Sequence, residues 1–453
     1  LREWTWPERG PEAEKASFNY QTQQFIKGEE PCYEMKAMLI KRVVAAYPSS
    51  RPRSWTDESV DEVVRSIMSV DVKEDSSPGV PLCVLAATNK ILLRDHFGMV
   101  CEAVKERLSL LAMTEPEDIR KMTAEQLVQA GLCDPIRVFV KNEPHNKLKT
   151  AQRRLRLISS VSLVDQIIER LLYARQNNAE IDNWTTIPSK PGGSMTNDED
   201  VEILARELDN ARVGGIQLAD VDISGFDWSV QGWELDWDAE CRIALAVNAS
   251  PDWQRAVRNR VRCLSLAVFS FSDGTMVAQR EAGIEKSGSY NTTSTNSRIA
   301  VMLAWLSGSS FVAVVGDDAI VEFRPKAASV YERLGHKVKQ YRPCEGDHVE
   351  FCSSRINLKT ATWEPITWSK TFYRFLCQPI PKVDYSLWFQ FCSTLRHSPK
   401  LVEIREWLAK TAQGEVLGRK INEWSAEDYA ITFPEEDNPE KENVPTQRQR
   451  QDE

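Results

Sequence analysis

The string SSFVAVVGDDAIVEF, residues 309 to 323, limits the fold more than any other stretch of the chain. Two apolar runs, Phe311 to Val315 and Ala319 to Phe323, flank Gly316, Asp317 and Asp318. Runs rich in Val, Ile and Phe read as buried strands, and Gly-Asp between them reads as a tight hairpin turn. A chain built around this hairpin must bury a sheet and still keep two adjacent carboxylates at its rim. Neighbouring carboxylates repel, and both stay ionised only where cations or donors stand close. Taken alone, the string also fits a polar hairpin tip in water, so the remaining sequence has to decide.

Three other constellations bear on the decision. In ADVDISGFDWSV, the apolar GIQLA leads Asp222 to the end of a strand. Asp227 follows past Gly225, where a helix can start. A helix-capping Asp is the simpler reading of Asp227 by itself, whereas an acid at the exit of a buried strand is harder to explain away. In EKSGSYNTTSTNSRIAVMLAWL, Ser287-Gly288 is expected to form a flexible turn before a helix with an apolar face. Thr292 and Asn296 stand at i and i+4 and share one face. Such a face can read hydroxyl groups by hydrogen bonding, or be the wet side of an N-capped helix.

The third constellation is RVFVKNEPHNKLKTAQRRLR, residues 137 to 156. Arg137, Lys141, Lys147, Lys149, Arg153, Arg154 and Arg156 stand there against one acid, Glu143, in a chain of net charge −9. Concentrated basic charge is the footprint of phosphate binding, although a solvated loop can carry it too. RVFV and RLRLI alternate basic with apolar residues, which predicts two strands with one basic face.

Order and spacing connect these signals. A basic strip precedes DxxxxD, then SGxxxTxxxN, then GDD between strands. Two-metal phosphoryl transfer needs carboxylates from separate strands around two cations about 3.5–4 Å apart. Asp222 and Asp317 supply that pair, and bound cations would make the adjacent acids of the hairpin tolerable.

The bulk numbers agree with a large enzyme and exclude little. With 453 residues, 42% of them hydrophobic, the chain can bury a sizeable core. Global acidity alone argues against a nucleic-acid partner; the local charge argues for one. Ten cysteines without a CxxC pair fit reduced thiols. Cys344, His348 and Cys352 have a spacing possible for zinc but lack a nearby fourth ligand. Neither a signal peptide nor an apolar run long enough to span a membrane is read. Residues 1 to 30 read as an extended polar arm, 35 to 175 as mostly helical, 216 to 363 as alternating strands and helices, and 384 to 426 as helical. The tail from Pro434 reads as disordered and carries seven acids against three bases. Trp228, Trp233 and Trp237 are taken as core packing rather than base-stacking platforms.

At this point the chain resembles the RNA-dependent RNA polymerases of positive-strand viruses, and within them the sobemovirus, polerovirus and barnavirus group. The strings that carry the resemblance are VFVKNEPHNKLK, RLRLISSVSLVDQ, DISGFDWSVQGWE, SGSYNTTSTNSR and GDDA, with SSPGVPL upstream and EFCSSRI downstream. They cover about residues 70 to 375. The resemblance implies an α+β right-hand fold with an antiparallel-sheet palm. The divisions expected are an N-terminal arm (1–30), fingers (31–160, with a template-entrance loop at 76–82), palm (161–238), a fingers insertion (239–283), palm again (284–365), thumb (366–433) and an acidic tail (434–453).

The resemblance also implies roles. Asp222, Asp317 and Asp318, with the Ile223 carbonyl, would hold two Mg²⁺ ions, with Mn²⁺ able to substitute. Lys141, Lys149 and Arg156 would hold the triphosphate, while His145 stands where relatives often carry Arg. Asp227 and Asn296 would sense the ribose 2′-hydroxyl, and Ser287 and Thr292 would shape the nucleotide site. Ser76, Ser77, Pro78, Gly79, Gly288, Cys352 and Ser353 would face template or primer. A base after the hairpin would protonate pyrophosphate; spacing does not choose among Lys337, Lys339 and Arg342, and Lys339 is taken as the candidate. Expected partners are RNA template, nascent RNA, NTPs, other viral replication proteins and, as one of two compatible ways to initiate, a genome-linked protein primer. Membrane association through those partners implies cytoplasmic, membrane-associated replication complexes of an infected cell. A reverse transcriptase shares this chemistry, but Asp227 occupies the position where it would carry an aromatic residue. A non-catalytic RNA-binding scaffold would bind RNA without regard to Mg²⁺ or Asp317.

Overall fold

The computed structural model describes residues 1–53, 60–379 and 382–410. Expectations for residues 411–433 and for the acidic tail lie outside the described residues. Among those described, thirteen strands numbered in chain order form four sheets. β1 (Trp4–Thr5) pairs with β3 (His145–Asn146). β2 (Ile136–Val140) and β4 (Leu157–Ser160) are antiparallel neighbours, so the alternating basic and apolar segments do form a strand pair. β6 (Val268–Ser270) runs parallel to β2 and pairs with β7 (Met276–Ala278).

The central sheet holds β5 (Leu218–Ile223), β8 (Val312–Val315), β9 (Asp318–Glu322) and β10 (Val338–Pro343) in the order β10-β5-β9-β8. All its neighbours are antiparallel. Side chains alternate between faces along a strand, and both faces are covered. Ala219, Val221, Ile223, Val312, Val314, Ala319 and Val321 pack with the helices Gly232–Leu245 and Thr292–Leu306. Leu218, Ala313 and Ile320 pack against the helix Asp198–Val213 and the sheet of β11 (His348–Phe351), β12 (Ser354–Asn357) and β13 (Trp363–Pro365). Double coverage explains why these strands read as unbroken apolar runs. By the same alternation, Asp222 and Asp318 belong to the second face, at one end of the sheet.

The N-terminal arm is not extended. Pro11–Gln23 is a helix, begun by Pro11 with Glu12 and Glu14 in its first turn. Its Phe18 is buried, edge-on to Trp228, Phe269 and Phe271 at 5.8, 5.0 and 5.2 Å. At the other end of the described chain, the helices Trp368–Leu376, Tyr385–Leu395 and Lys400–Lys410 enclose an aromatic core of Phe372, Phe375, Trp388 and Phe391. Trp4 Nε1 donates to Ser369 Oγ at 3.0 Å, tying the first residues to the first of these helices. No helix among the described residues is long and apolar enough to cross a membrane.

The hairpin between β11 and β12 turns on Cys352 (φ 49°) and Ser353 (φ 57°), two consecutive side-chain-bearing residues in the left-handed region. That conformation costs an L-residue about 1–2 kcal/mol. Ser353→Gly is therefore expected to raise stability by about 0.5–1 kcal/mol in denaturant unfolding. A loss of stability would show that the serine side chain holds the turn.

Candidate active site

The hairpin is tighter than its three polar residues suggest. Val315 pairs with Asp318, which leaves only Gly316 and Asp317 in the turn. Gly316 adopts φ 60°, free of strain for glycine. Its N–H donates to Ser297 Oγ at 2.8 Å, fixing the turn to the helix Thr292–Leu306. The pairing of β5 with β9 ends at Val221 and Ala319, and the next step of that register sets Asp222 opposite Asp318.

β10 brings a cation to the same rim. Its pairing with β5 shifts register between Val338 and Gln340, at Lys339. Such irregularities re-aim a side chain, and Lys339 Nζ donates to Asp222 Oδ2 at 2.6 Å. Arg342 instead approaches Asp220 at 3.7 Å and Glu350 at 3.3 Å, while Lys337 is exposed. The structure thus sets Lys339, of the three bases spacing left open, beside the carboxylates.

Solvent reaches Asp317 and Asp318, yet the protein packed around them displaces much of their water. This loss, followed by repulsion from Asp317 and Asp222, pushes the Asp318 carboxyl up to about 7. Asp317 is also raised, first by burial and then by Asp222, with Arg156 opposing. Oxygen-only donors that crowd and raise one another suit a hard divalent cation such as Mg²⁺ or Mn²⁺. The carboxylates form an open set. Among the described residues no three His, Cys, Asp or Glu side chains are closed around a metal position, and Lys339 occupies one oxygen of Asp222. Cys344 and His348 turn elsewhere, to Asp220 and Asn357.

Behind the hairpin, Asn296 Nδ2 donates to Asp227 Oδ1 at 2.6 Å. Asp227 lies in the short helix Phe226–Ser229, entered through Gly225 at φ 56°. Burial, and then Asp317, raise its carboxyl to about 6 against the bond from Asn296. Asn296 Oδ1 is buried and accepts no hydrogen bond. Other polar residues of this helix are buried and paired. Ser294 donates to Glu180 at 2.9 Å, Thr295 to Asp238 at 2.8 Å, and Arg298 Nε to Asp238 at 2.6 Å. Arg298 also bonds Glu180.

Ser287-Gly288 is docked rather than flexible. Gly288 N–H donates to the Ser159 carbonyl at 2.9 Å, and Ser159 N–H donates to Ser287 Oγ at 3.1 Å. A Cβ at Gly288 would stand 2.5 Å from the Ser159 oxygen, so only glycine allows this approach. Thr292 Oγ1 donates to the carbonyls of Lys286 and Ser289, both at 3.0 Å, closing the loop.

The basic strip converges on one buried acid that the sequence reading treated only as a charge count. Glu143 pairs with Arg156 at 2.8 Å, Lys370 at 3.2 Å and Lys141 at 3.4 Å. Against the cost of burial, these cations hold its carboxyl down at about 2. His145 is buried; Nδ1 donates to the Glu143 carbonyl at 2.8 Å and Nε2 accepts from Arg156 N–H at 3.0 Å. It positions Arg156 and is not free for a phosphate. Burial and the charges of Lys339, Arg154, Arg156 and Lys370 lower the Lys149 ammonium. Cations from the strip, from β10 and from the helix Trp368–Leu376 therefore share one region. Lys370 carried no local sequence signal, because its neighbours are assembled only by the fold.

A family model described as viral RNA-directed RNA-polymerase matches residues 5–363. The chain belongs to the viral RNA-directed RNA polymerases. It is 41% identical over 392 residues to the replicase polyprotein P2AB of Southern cowpea mosaic virus, covering 84% of this chain and 40% of that protein. It is 33% identical over 442 residues to protein P1-P2 of Potato leafroll virus, again 40% of that protein. The chain thus spans under half of these relatives. The RNA-directed RNA polymerase of Mushroom bacilliform virus is 37% identical over 349 residues, 74% of this chain and 82% of that protein. These three fall in the virus group that the sequence strings pointed to. Among solved structures, the Sicinivirus 3Dpol RNA dependent RNA polymerase superposes with TM-score 0.55 over 76% of this chain and 71% of that one, at 16% identity. That likeness supports the right-hand fold.

Within this family member, the residues expected to face template are less united. The Ser76 carbonyl accepts from Asn89 N–H and the Pro78 carbonyl from Leu163 N–H, both backbone contacts. Pro78 and Gly79 are buried, and a Cβ on Gly79 would stand 2.9 Å from Ser162 Cα. The bonds of this loop run to the helices Asn89–Met113 and Leu163–Asp182 rather than to the carboxylates. Cys352 does lie near the rim, its thiol pushed well up by burial and by Asp318 and Asp317. Ser353 is exposed on the same turn.

Proposed function

We propose that this chain performs template-directed RNA synthesis in the replication of a positive-strand RNA genome. The observation that carries the reading is convergence. Sheet register gathers Asp222, Asp317 and Asp318 at one rim, and Lys339 and Arg156 act on that rim from separate elements. In the reaction, a primer 3′-oxygen forms a bond to the α-phosphorus of an NTP, and the bond from that phosphorus to the bridging oxygen breaks to release pyrophosphate.

Asp222, Asp317, Asp318 and the Ile223 carbonyl would hold Mg²⁺, or Mn²⁺ in its place. A bound pair of such ions lowers the pKa of the attacking hydroxyl and offsets charge on the leaving phosphates. Lys141, Lys149, Arg156 and Lys370 attract the triphosphate and stabilise the charge that builds on it. Lys339 donates a proton to the departing pyrophosphate oxygen, a contribution of about 10²-fold or more. Its bond to Asp222 keeps it within reach of the carboxylates until substrate draws it away.

Asn296 Oδ1, buried and unpartnered, suits the donor of a ribose 2′-hydroxyl, with Asp227 orienting the amide. Asn296→Ala is expected to cut the preference for UTP over 2′-deoxy-UTP at least about ten-fold. Steady-state kcat/KM for the two substrates checks this, and an unchanged ratio would remove Asn296 from sugar selection.

In this reading residues 31–160 and 239–283 act as fingers, 161–238 and 284–365 as palm, and 366–433 as thumb. Template RNA, nascent RNA and NTPs are the immediate partners. Other viral proteins, including a genome-linked primer where initiation uses one, would bring the enzyme to membrane-associated replication complexes in the cytoplasm. The reading is tested by programming the product: poly(A) should direct labelled UMP and poly(C) labelled GMP incorporation from matching primers. Incorporation that ignores the template would point to a terminal transferase instead.

A further inference from the structure

The segment from Phe226 to Gln231, which carries Asp227, is joined to the approach to β10 by bonds that the chemistry above does not use. His336 and Glu234 are completely buried. His336 Nε2 lies 2.7 Å from Glu234 Oε1, and Nδ1 lies 2.8 Å from Ser229 Oγ. The ring stacks on Phe226 with centroids 5.7 Å apart. Ser229 Oγ also reaches the Phe226 carbonyl at 2.8 Å. Ser229 Oγ thus stands between the Phe226 carbonyl and the His336 ring, and joins the bond that closes the helix Phe226–Ser229 to His336. Three residues beyond His336 stands Lys339. Between them the Lys337 carbonyl accepts from Ser224 N–H at 2.9 Å, just past Asp222 and Ile223.

The same turn is clamped from the N-terminal arm. Glu29 N–H donates to the Arg333 carbonyl at 2.9 Å. Gln231 Oε1 accepts from Gly28 N–H at 3.0 Å, and its Nε2 donates to the carbonyls of Ile26 and Ser229 at 3.0 and 2.8 Å. A Cβ on Gly28 would stand 2.0 Å from the Leu334 carbonyl. The turn can thus move only together with what it touches, and His336 links it to the Asp227 helix twice, by the bond with Ser229 and by its ring on Phe226. On the other side of that helix, Glu285 N–H donates to the Asp227 carbonyl at 2.9 Å.

We propose that His336 is a positioning residue that couples ribose recognition at Asp227 and Asn296 to the placement of Lys339. A 2′-hydroxyl settles Asp227; the helix Phe226–Ser229 settles with it; and Ser229, through His336, holds the turn that leads into Lys339. A deoxynucleotide leaves the helix unsettled, so Lys339 is less often aligned with the leaving group. Sugar discrimination would then reside partly in kcat, not only in binding. The inference rests on the polymerase reading above.

The test compares single-nucleotide primer extension with UTP and 2′-deoxy-UTP, normalised to titrated active sites. The proteins are wild type, Ser229→Ala, His336→Phe and His336→Asn. Ser229→Ala removes only the hydroxyl. His336→Phe keeps the ring on Phe226 and deletes both bonds, whereas His336→Asn can still reach Ser229. For Ser229→Ala and His336→Phe we expect kcat for UTP to fall about ten-fold, with KM little changed and a much smaller fall for 2′-deoxy-UTP. His336→Asn should recover part of the difference. A fall of equal size on both sugars, or none, would overturn the coupling and leave His336 a structural residue. Should His336→Phe fail to fold, Ser229→Ala alone still decides. Absence of templated incorporation by wild type would instead overturn the polymerase reading itself.

Discussion

Asp317→Asn is expected to lower nucleotide incorporation by about 10³-fold or more, equivalent to roughly 4 kcal/mol of transition-state stabilisation, without harming the fold. Asp317 sits in a two-residue turn, its backbone set by Gly316 and the Val315–Asp318 pair rather than by its own side chain. Its carboxyl is raised by burial and Asp222, and it helps to raise Asp318 to about 7. Removing the charge relieves that repulsion, so the metal-free variant should melt at the wild-type temperature or above. Activity and stability should thus move in opposite directions, as at other sites that hold like charges for function. Mg²⁺ should raise the wild-type Tm, because a ligand that binds only the native state stabilises it, and should raise that of the variant less. Single-turnover extension and thermal unfolding with and without Mg²⁺ check both halves. A variant that keeps a tenth of the activity would remove Asp317 from the catalytic centre.

The second large effect concerns stability. Arg298→Met is expected to destabilise the fold by about 3–5 kcal/mol, because it takes away the cation that Glu180 and Asp238 share and leaves Asp238 to Arg242 alone. Arg298 is fully buried and bonds both Asp238 and Glu180. Burial alone would push Asp238 up; Arg298 and Arg242 instead hold it at about 2. A carboxyl depressed in the native state contributes stability above its unfolded value of roughly 4. That contribution is lost as pH falls from about 4 to about 2, so wild type should lose stability in that window. The variant should show a shallower loss there from a lower starting point. Urea unfolding at neutral pH and between pH 4 and 2 measures both. A variant within 1 kcal/mol of wild type would mean that Glu180 and Asp238 find other partners. Asn296 lies two residues away on the same helix, so activity should decline along with stability.

The sequence made the rim legible because its chemistry lies in short strings at strand ends. Asp222, Asp317, Asp318 and the β2–β4 pair follow from apolar periodicity broken by acids or punctuated by bases. The family strings led to the family that the comparisons also identify. What stayed hidden depends on contacts between distant segments. Ser294, Thr295 and Arg298 carried no signal of their own, and only the packing of helices Leu163–Asp182 and Gly232–Leu245 shows them buried and paired. Ser287-Gly288 read as flexible, since its partner, Ser159, lies on another strand. The arm at 11–23 read as extended because its single core residue, Phe18, gives no periodic signal, although Pro11 and its acidic first turn marked the helix start. Glu143 and Lys370 became visible as a pair only in three dimensions. Lys339 is intermediate: spacing offered three bases, and the register shift in β10 separates them.

In the proposed function, the rim of Asp222, Asp317 and Asp318 is the catalytic centre of RNA-templated synthesis. The most direct measurement is labelled UTP incorporation on poly(A) primed with oligo(U). Wild type and Asp317→Ala are run side by side, with Mg²⁺ or with EDTA. Incorporation is expected from wild type with Mg²⁺ alone, and none above background in the other three reactions. Incorporation that survives Asp317→Ala would contradict that assignment, because the chemistry would then be done elsewhere in the molecule.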